Sequence, residues 1–506
     1  MTVKATGSPR AEASGGRSLW VIVIVALSVV AVLGFMKLNL PFHNDQATFA
    51  NYARMMDQGA TLYEDVWDPK QPGIFYFFLA GGSLFGFSEA GFHLLELIYL
   101  AAGGFAGAIW LRRRLINGNV AFWYPILTAG WFYFLARRHD PGQVEILAGP
   151  LILGHLILSL PSTRAGKDQS SSAGRLIAAG LCVGLLGWLK LLLVAIPAVV
   201  AIVAALTMSR GSPRPVRSIF RFLGWQLVGV AIPLLGMVVW FAANGGLDTL
   251  WFTFVTYPLS IIGDKTDTVL HKLIFRSAVI YLPLLFLGVI ALMRRRNYPT
   301  SRTLFLLAST AIAVSAAVVL VQTWWTYQAS LALFPAALLA VFGLDQIVES
   351  PPKLRTPLTL LAILTLVPAV VVESPRMVEG LNHRFGYAGD TLDFQSALEP
   401  EYGRLAEALE RVDIAPGDTV YGTDNRAAWL ADRPQAIPIS PWLTARGTPD
   451  LNAQAMEQLR QSPADWVFVD NWAESLTSTE QLRGLLESDY RLVTETDHGE
   501  WWVPDQ

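Results

Sequence analysis

The chain of 506 residues contains a single cysteine, Cys182, and only seven histidines. One cysteine excludes an intrachain disulfide, a thiol relay and a cysteine-based metal cluster. Charge is scarce too: 15% of residues are Asp, Glu, Lys or Arg against 53% hydrophobic, too few to coat a soluble enzyme of this length. Lysine is absent after Val372, where Asp and Glu outnumber Arg. The net charge of −2 therefore sums a basic apolar part with an acidic tail, and nothing in it points to nucleic acid as a partner. No repeat of fixed period is found, and no Gly-x-Gly-x-x-Gly follows the first strand-like run of the tail, so a nucleotide site is not expected there.

What the chain does have is apolar runs of bilayer-spanning length. Eleven are counted, at residues 19–40, 92–111, 120–136, 144–160, 176–189, 191–208, 222–243, 273–293, 304–321, 329–347 and 358–372. The first exceeds a signal-peptide core and lacks a cleavage signal, so residues 1–18 (with Lys4, Arg10 and Arg17) are read as a cytoplasmic leader to a retained helix. Lys190 interrupts the long run 176–208, and two short helices meeting at a polar surface accommodate it better than one buried charge. The stretch 74–87, with Gly81, Gly82 and Ser83, is too short to cross and is placed on the outer surface.

That placement puts Arg112 to Arg114, then Arg164, Lys167 and Arg175, then Arg210, Arg214, Arg217 and Arg221, then Arg294 to Arg296 with Arg302, and Lys353 with Arg355 all on the N-terminal side, as the positive-inside rule requires. It predicts a multi-pass protein of the plasma membrane with a cytoplasmic N-terminus. A membrane domain covers residues 19–372, a large first external loop residues 41–91, and an extracytoplasmic domain residues 373–506. In the last, strand-like runs at 419–422, 466–469 and 490–494 alternate with helical ones at 403–411, 451–460 and 479–487, which predicts a small soluble α/β domain. Residues 245–271, rich in aromatics (Trp251, Phe252, Phe254, Tyr257), are expected at the lipid headgroup level.

The first loop concentrates the chemistry. It reads Phe42-His43-Asn44-Asp45-Gln46, then an amphipathic stretch with Phe49, Tyr52, Met55 and Met56 at three- and four-residue spacing, then Asp65, Asp68, Lys70 and Pro72. This predicts a surface helix with Asp45 at its N-terminal end, serving either as its N-cap or as a reactive carboxylate.

An acidic residue directly after the first span, a surface helix ending at Gly59, the motif Tyr63-x-Asp65-x-x-Asp68-x-Lys70-x-Pro72-Gly73, and an apolar segment closing in Phe85-Gly86 together resemble the start of the GT-C glycosyltransferases. Within them the likeness is to the protein O-mannosyltransferase, aminoarabinose transferase and Rgt-type group. Arg112-Arg113-Arg114 after the second span, Glu145 opening the fourth, Gly184-Leu-Leu-Gly-Trp-Leu-Lys190, and Tyr327-Gln328 ahead of Pro335 follow in an order similar to that family's, so the resemblance spans about residues 19–372. One departure stands out: the family follows its catalytic acid with Glu, whereas Gln46 stands here.

The resemblance implies a GT-C-like, α-helical polytopic fold and an inverting hexosyl- or pentosyltransferase, mannosyltransferase-like in type. Such an enzyme moves a sugar from a polyprenyl-phosphate donor to a hydroxyl of a glycan, lipid or protein acceptor at the outer membrane face. Asp45 is then the general base, and Lys70 the cation that receives the departing phosphate. Arg137 and Arg138, on an outer loop against the charge trend, are candidates for the donor phosphate, with pairing to Asp140 or to lipid headgroups as the competing reading. Glu145 is a candidate for holding a sugar, Lys190 for facing the phosphate or snorkelling, and Tyr327 for lining the substrate site. No cofactor is assigned, and a divalent cation is left open. A divalent cation, if one enters, has Asp45 and Glu145 as its oxygen ligands, a weak signal without a further His or Asp beside them. Glu96, inside a span, is expected to hydrogen-bond a neighbouring element, and His93, His155 and His271 to be structural. The competing functions are a transporter or flippase, which would show internal duplication, and a polymerase of lipid-linked glycans.

Overall fold

The computed structural model describes residues 9–160, 172–210, 212–260, 270–298, 301–322, 325–386, 390–441, 449–471 and 477–505. Arg164 and Lys167, and residues 261–269 of the aromatic segment, lie outside these.

Helix α1 (Pro9–Phe35) leads into α2 (Asn44–Asp57), α3 (Pro72–Phe85) and α4 (Glu89–Leu111). Helix α1 is shifted from the expected 19–40: it starts within the leader and stops at Phe35, followed by turns held by Lys37 N–H to Gly34. The expected helix at 120–136 is not regular. Pro125 removes a ladder donor, and the segment passes through a 3-10 turn (Gly118–Phe122), α5 (Trp123–Pro125), a π-turn (Ile126–Gly130) and α6 (Trp131–Leu135).

Next come α7 (Val144–Ser159), α8 (Ala173–Leu189) and, after a 3-10 turn at Leu191–Val194, α9 (Ala195–Ser209). Lys190 sits between α8 and that turn in extended conformation (φ −167°), so the chain breaks where the charge predicted it would. They are followed by α10 (Pro215–Ala243), α11 (Leu247–Trp251), α12 (Tyr257–Ser260), α13 (Leu270–Met293), α14 (Arg302–Val321), α15 (Leu333–Val348) and α16 (Pro352–Gly386). Helix α16 continues past Val372, so no break marks the end of the membrane part.

Among the described residues seven helices are long and apolar enough to cross a bilayer, and α1, α7 and α8 supply shorter apolar ones. Helices α8 and α10 pack backbone to backbone where Gly180 and Gly229 face each other. A Cβ built on Gly180 would lie 2.0 Å from the Gln226 carbonyl, so only a backbone without a side chain fits this crossing.

Helix α3 is one of the shorter apolar helices. Trp67, ahead of it, bonds Pro438, and Glu89, just after it, accepts from Tyr402 and Trp429, so both ends meet the C-terminal domain. That domain contains α17 (Thr391–Leu398), α18 (Pro400–Leu409), β1 (Val420–Gly422), α19 (Arg426–Leu430), α20 (Pro449–Gln461), β2 (Trp466–Asp470), α21 (Thr477–Asp489), β3 (Tyr490–Glu495) and β4 (Gly499–Pro504). The sheet order is β1-β2-β4-β3, with β1 parallel to β2 and the other pairs antiparallel. Its predicted strands and helices are present. Strand β4, which sequence reading missed because Trp501 and Trp502 break the alternation, is the one that joins β2 to β3.

Candidate active site

Asp45 is the second residue of α2, and it is not the cap. His43 occupies the N-cap position, and its N–H is taken by Gln46 Oε1 at 2.7 Å. The Gln46 amide nitrogen donates to the carbonyls of Arg138 and Pro141, and the side chain is buried. The departure from Glu is thereby explained: a carboxylate here could cap the helix but would face two carbonyl oxygens with no proton to offer. Relieved of capping, Asp45 turns its carboxylate towards Lys70, whose Nζ is 3.5 Å from Asp45 Oδ1 and 3.6 Å from Asp68 Oδ1.

The motif around Lys70 braces itself. Tyr63 holds a left-handed backbone (φ +74°), and its N–H bonds Val66 O at 2.7 Å. That turn aims the Tyr63 hydroxyl back to donate to Lys70 O at 2.6 Å, while Lys70 N–H donates to Asp68 Oδ1 at 3.0 Å. The ammonium lies 5.3 Å from the centre of the Phe49 ring. Burial alone would lower the Lys70 pKa, but the neighbouring carboxylates of Asp45 and Asp68 outweigh it and hold the amine well above its ordinary value. Burial raises the Asp68 carboxyl, with Lys70 opposing. Side chains of Asp45 and Lys70 stay 20% and 28% exposed against 3% for Asp68, so the first two are open to a substrate and Asp68 is their buried support.

A second charged cluster stands beside the first. Glu145, fully buried in the first turn of α7, accepts from Lys190 Nζ at 2.9 Å, and Lys190 also donates to Gln322 at the end of α14. The Pro72-Gly73 pair makes the two clusters neighbours. Proline opens α3 without losing a ladder bond, and a Cβ on Gly73 would lie 2.7 Å from the Trp188 carbonyl, two residues before Lys190. Tyr327, in the 3-10 turn Thr326–Ala332, lies within electrostatic reach of both Asp45 and Glu145. Five candidates from the sequence, Asp45, Lys70, Glu145, Lys190 and Tyr327, are thus gathered together.

Arg137 and Arg138 are engaged elsewhere. The Arg137 guanidinium donates to Glu373 at 2.8 Å and its backbone N–H to Asp140, while Arg138 pairs with Glu399. Arg276, buried on α13, joins the same group, 2.6 Å from Asp140 and 3.0 Å from Glu373. Neither Arg137 nor Arg138 makes a salt bridge or hydrogen bond with Asp45 or Lys70 among the described residues. This network clamps the 137–142 loop, whose Gly142 (φ +68°) donates to Glu96 at 2.9 Å. Sequence reading missed Arg276, Glu373 and Glu399, because nothing local marks partners so far apart in the chain.

His139 also comes from this loop. Its ring lies 4.1 Å from that of His43, edge to face, and within electrostatic reach of Asp45. Burial and the Arg138 cation depress His139 to about 4, and burial with His139 and nearby arginines depresses His43. Both rings are neutral at neutral pH. Asp45 and Glu145 each pair with their own lysine, and the one trio of ligand-type side chains among the described residues does not include them.

The C-terminal domain packs on α2 and on Trp67. Trp67 N–H donates to Pro438 O at 2.7 Å and Ser440 N–H to Trp67 O at 3.1 Å. The Tyr52 hydroxyl reaches Pro438 O, Asn425 donates to Thr48 at 2.6 Å, and Arg54 pairs with Asp432. From the membrane side Thr253 accepts from Trp67 Nε1 at 3.0 Å, and Phe252 and Tyr257 pack on the Trp67 ring. Residues 252–257 of the aromatic segment therefore brace Trp67, three residues before Lys70.

No family model matches the chain, and no curated protein matches it in sequence. Solved structures are similar to it in fold, two of them of one protein. ArnT from Cupriavidus metallidurans bound to undecaprenyl phosphate superposes with a TM-score of 0.64 at 14% identity, covering 95% of this chain and 97% of that one. The same protein in its apo state gives 0.57 at 16% identity, over 97% and 98%. ArnT is an aminoarabinose transferase of the GT-C superfamily. The chain therefore has the GT-C fold, a polytopic α-helical membrane part joined to a C-terminal α/β domain.

Proposed function

We propose that the chain is an inverting membrane glycosyltransferase using a polyprenyl-phosphate sugar as donor, with Asp45 as general base. The observation that carries this reading is the half-buried Asp45 carboxylate beside the Lys70 ammonium, 3.5 Å apart, on a GT-C fold whose structural relative binds undecaprenyl phosphate. The acceptor hydroxyl is placed between Asp45 and the anomeric carbon. Its oxygen attacks that carbon as its proton passes to Asp45, the bond from carbon to phosphate oxygen breaks on the opposite face, and the lipid phosphate departs as an anion. Lys70 meets that developing charge in a partly desolvated site, where a fixed cation is worth more than in water.

Lys190 and Glu145 serve the donor: the cation faces the phosphate while the carboxylate holds Lys190 in place and accepts from a sugar hydroxyl. Tyr327 lines the path between them. In this reading Arg137 and Arg138 act on the donor by fixing the 137–142 loop through Glu373 and Glu399. The face bearing the C-terminal domain is the extracytoplasmic one. In support, Arg112 to Arg114 follow the far end of α4, and Asp345 anchors residues 116 and 117 at that opposite end, where Arg294 and Arg355 bond Ser350.

The test is incubation of purified protein with a panel of polyprenyl-phosphate hexoses and pentoses and with glycan, lipid and peptide acceptors, reading the product's anomeric configuration. Transfer with inversion from at least one donor supports the reading. Consumption of no donor, or retention of configuration, contradicts it.

A further inference from the structure

Outside the candidate active site, the sheet of the C-terminal domain gathers three side chains of ligand type. Asp424 follows β1, Asp470 ends β2, and His498 precedes β4. Because β1 runs parallel to β2, their carboxyl ends coincide, and the antiparallel register of β4 places Gly499 opposite Asp470. The loop ends are pinned there: Thr423 N–H donates to Phe468 O and Asp470 N–H to Thr423 Oγ1. One ligand atom from each of Asp424, Asp470 and His498 lies within 4.8 Å of the other two. The carboxyl end of a parallel strand pair is where α/β domains place ligands.

The histidine makes this more than an acidic cluster. His498 is 7% exposed, and its Nε2 has no hydrogen-bond partner among the described residues. A buried imidazole nitrogen without a partner carries a desolvation cost that a bound ligand would remove. Nε2 faces Asp424 Oδ2 at 4.0 Å, too far for a hydrogen bond and wide enough for an ion between them.

Arg426 donates to both oxygens of Asp424, from its backbone N and Nε to Oδ1 and from Nε and Nη2 to Oδ2, which fixes the orientation of that carboxylate. Asp424, Asp470 and Glu401, the last 3.9 Å from Arg426, all lie within electrostatic reach of its guanidinium.

We propose that Asp424, Asp470 and His498 form a binding site for a zinc-class divalent cation, with one imidazole nitrogen, two carboxylate oxygens and water completing a tetrahedron. Two carboxylates with one imidazole suit zinc better than calcium, which takes six or more oxygens, or magnesium, which keeps an octahedral water shell. The site positions rather than reacts. Asn425, next to Asp424, donates to Thr48 on the helix that carries Asp45, so the ion fixes the segment by which the domain grips α2.

The test uses the full-length protein in detergent, stripped with chelator and titrated with zinc chloride alone. The site requires saturable uptake of one zinc per chain, weakened at least ~10-fold in both His498→Gln and Asp470→Asn. Zinc should raise the melting midpoint of the wild type and not that of the variants. The wild-type titration decides the matter even if a variant fails to fold: absence of saturable uptake overturns the site. Uptake unchanged in both variants overturns it equally, whatever the outcome for sugar transfer.

Discussion

Lys70 Nζ stands 3.5 Å from Asp45 Oδ1, so the proposed base and the proposed phosphate-binding cation rest against each other. A departing phosphate competes with Asp45 for the ammonium, and the base is released as the leaving group is gripped. Asp68, buried and 3.6 Å from the same nitrogen, keeps the lysine in place throughout.

Lys70→Ala is therefore expected to lower kcat by about 10²-fold, the usual cost of one oriented donor to a developing anion, with little effect on KM for the acceptor. Lys70→Arg should recover part of that loss. Steady-state kinetics on both variants check this. A change confined to donor KM would place Lys70 in ground-state binding alone.

Glu145 and Lys190 make a different case, because the carboxylate is fully buried. Glu145→Gln or Lys190→Met alone leaves a charge short of its partner and is expected to destabilise by about 3 kcal/mol, while the double variant should be more stable than either single one. Thermal unfolding in detergent measures all four. Strict additivity of the single effects would mean the 2.9 Å contact contributes nothing.

Much of this arrangement was legible in the sequence. Lys190 in an apolar run predicted the break between α8 and α9, and the Gly-containing stretch after Lys70 read as an apolar segment shorter than a span, which α3 is. Local signals carried both. The docking of Pro438 on Trp67, of Tyr402 on Glu89, and of Arg276 between Asp140 and Glu373 was not legible, since each joins residues far apart in the chain with no periodic pattern. The 118–135 segment failed for another reason: hydropathy reports burial, whereas the 3-10 and π turns there come from backbone geometry around Pro125. Asp45 could be read as a helix cap only until His43 was seen at the N-cap position, its N–H bonded to Gln46.

Gln46→Glu converts this position to the residue the GT-C resemblance leads one to expect. It should destabilise by about 1–3 kcal/mol, because the donor to Arg138 O and Pro141 O is replaced by an acceptor in a buried site. Unfolding midpoints of variant and wild type check it; an equal or higher midpoint in the variant contradicts the explanation given for Gln46.

Acid should loosen the 137–142 loop. His139 is depressed to about 4 in the folded protein, so between its ordinary value near 6.5 and about 4 the unfolded chain binds more protons, and stability falls as pH falls through that window. His139→Gln removes this contribution. Melting midpoints from pH 7 to pH 4 should decline less steeply in the variant; parallel curves would rule the contribution out.

The most direct measurement is single-turnover sugar transfer by Asp45→Asn at saturating donor and acceptor. Asparagine keeps the shape and the side-chain oxygen near Lys70 but cannot take the proton, so the chemical step should slow by about 10²- to 10⁴-fold while the protein folds and binds donor as the wild type does. A rate within a few-fold of wild type, with donor binding intact, would contradict the assignment of Asp45 as the base.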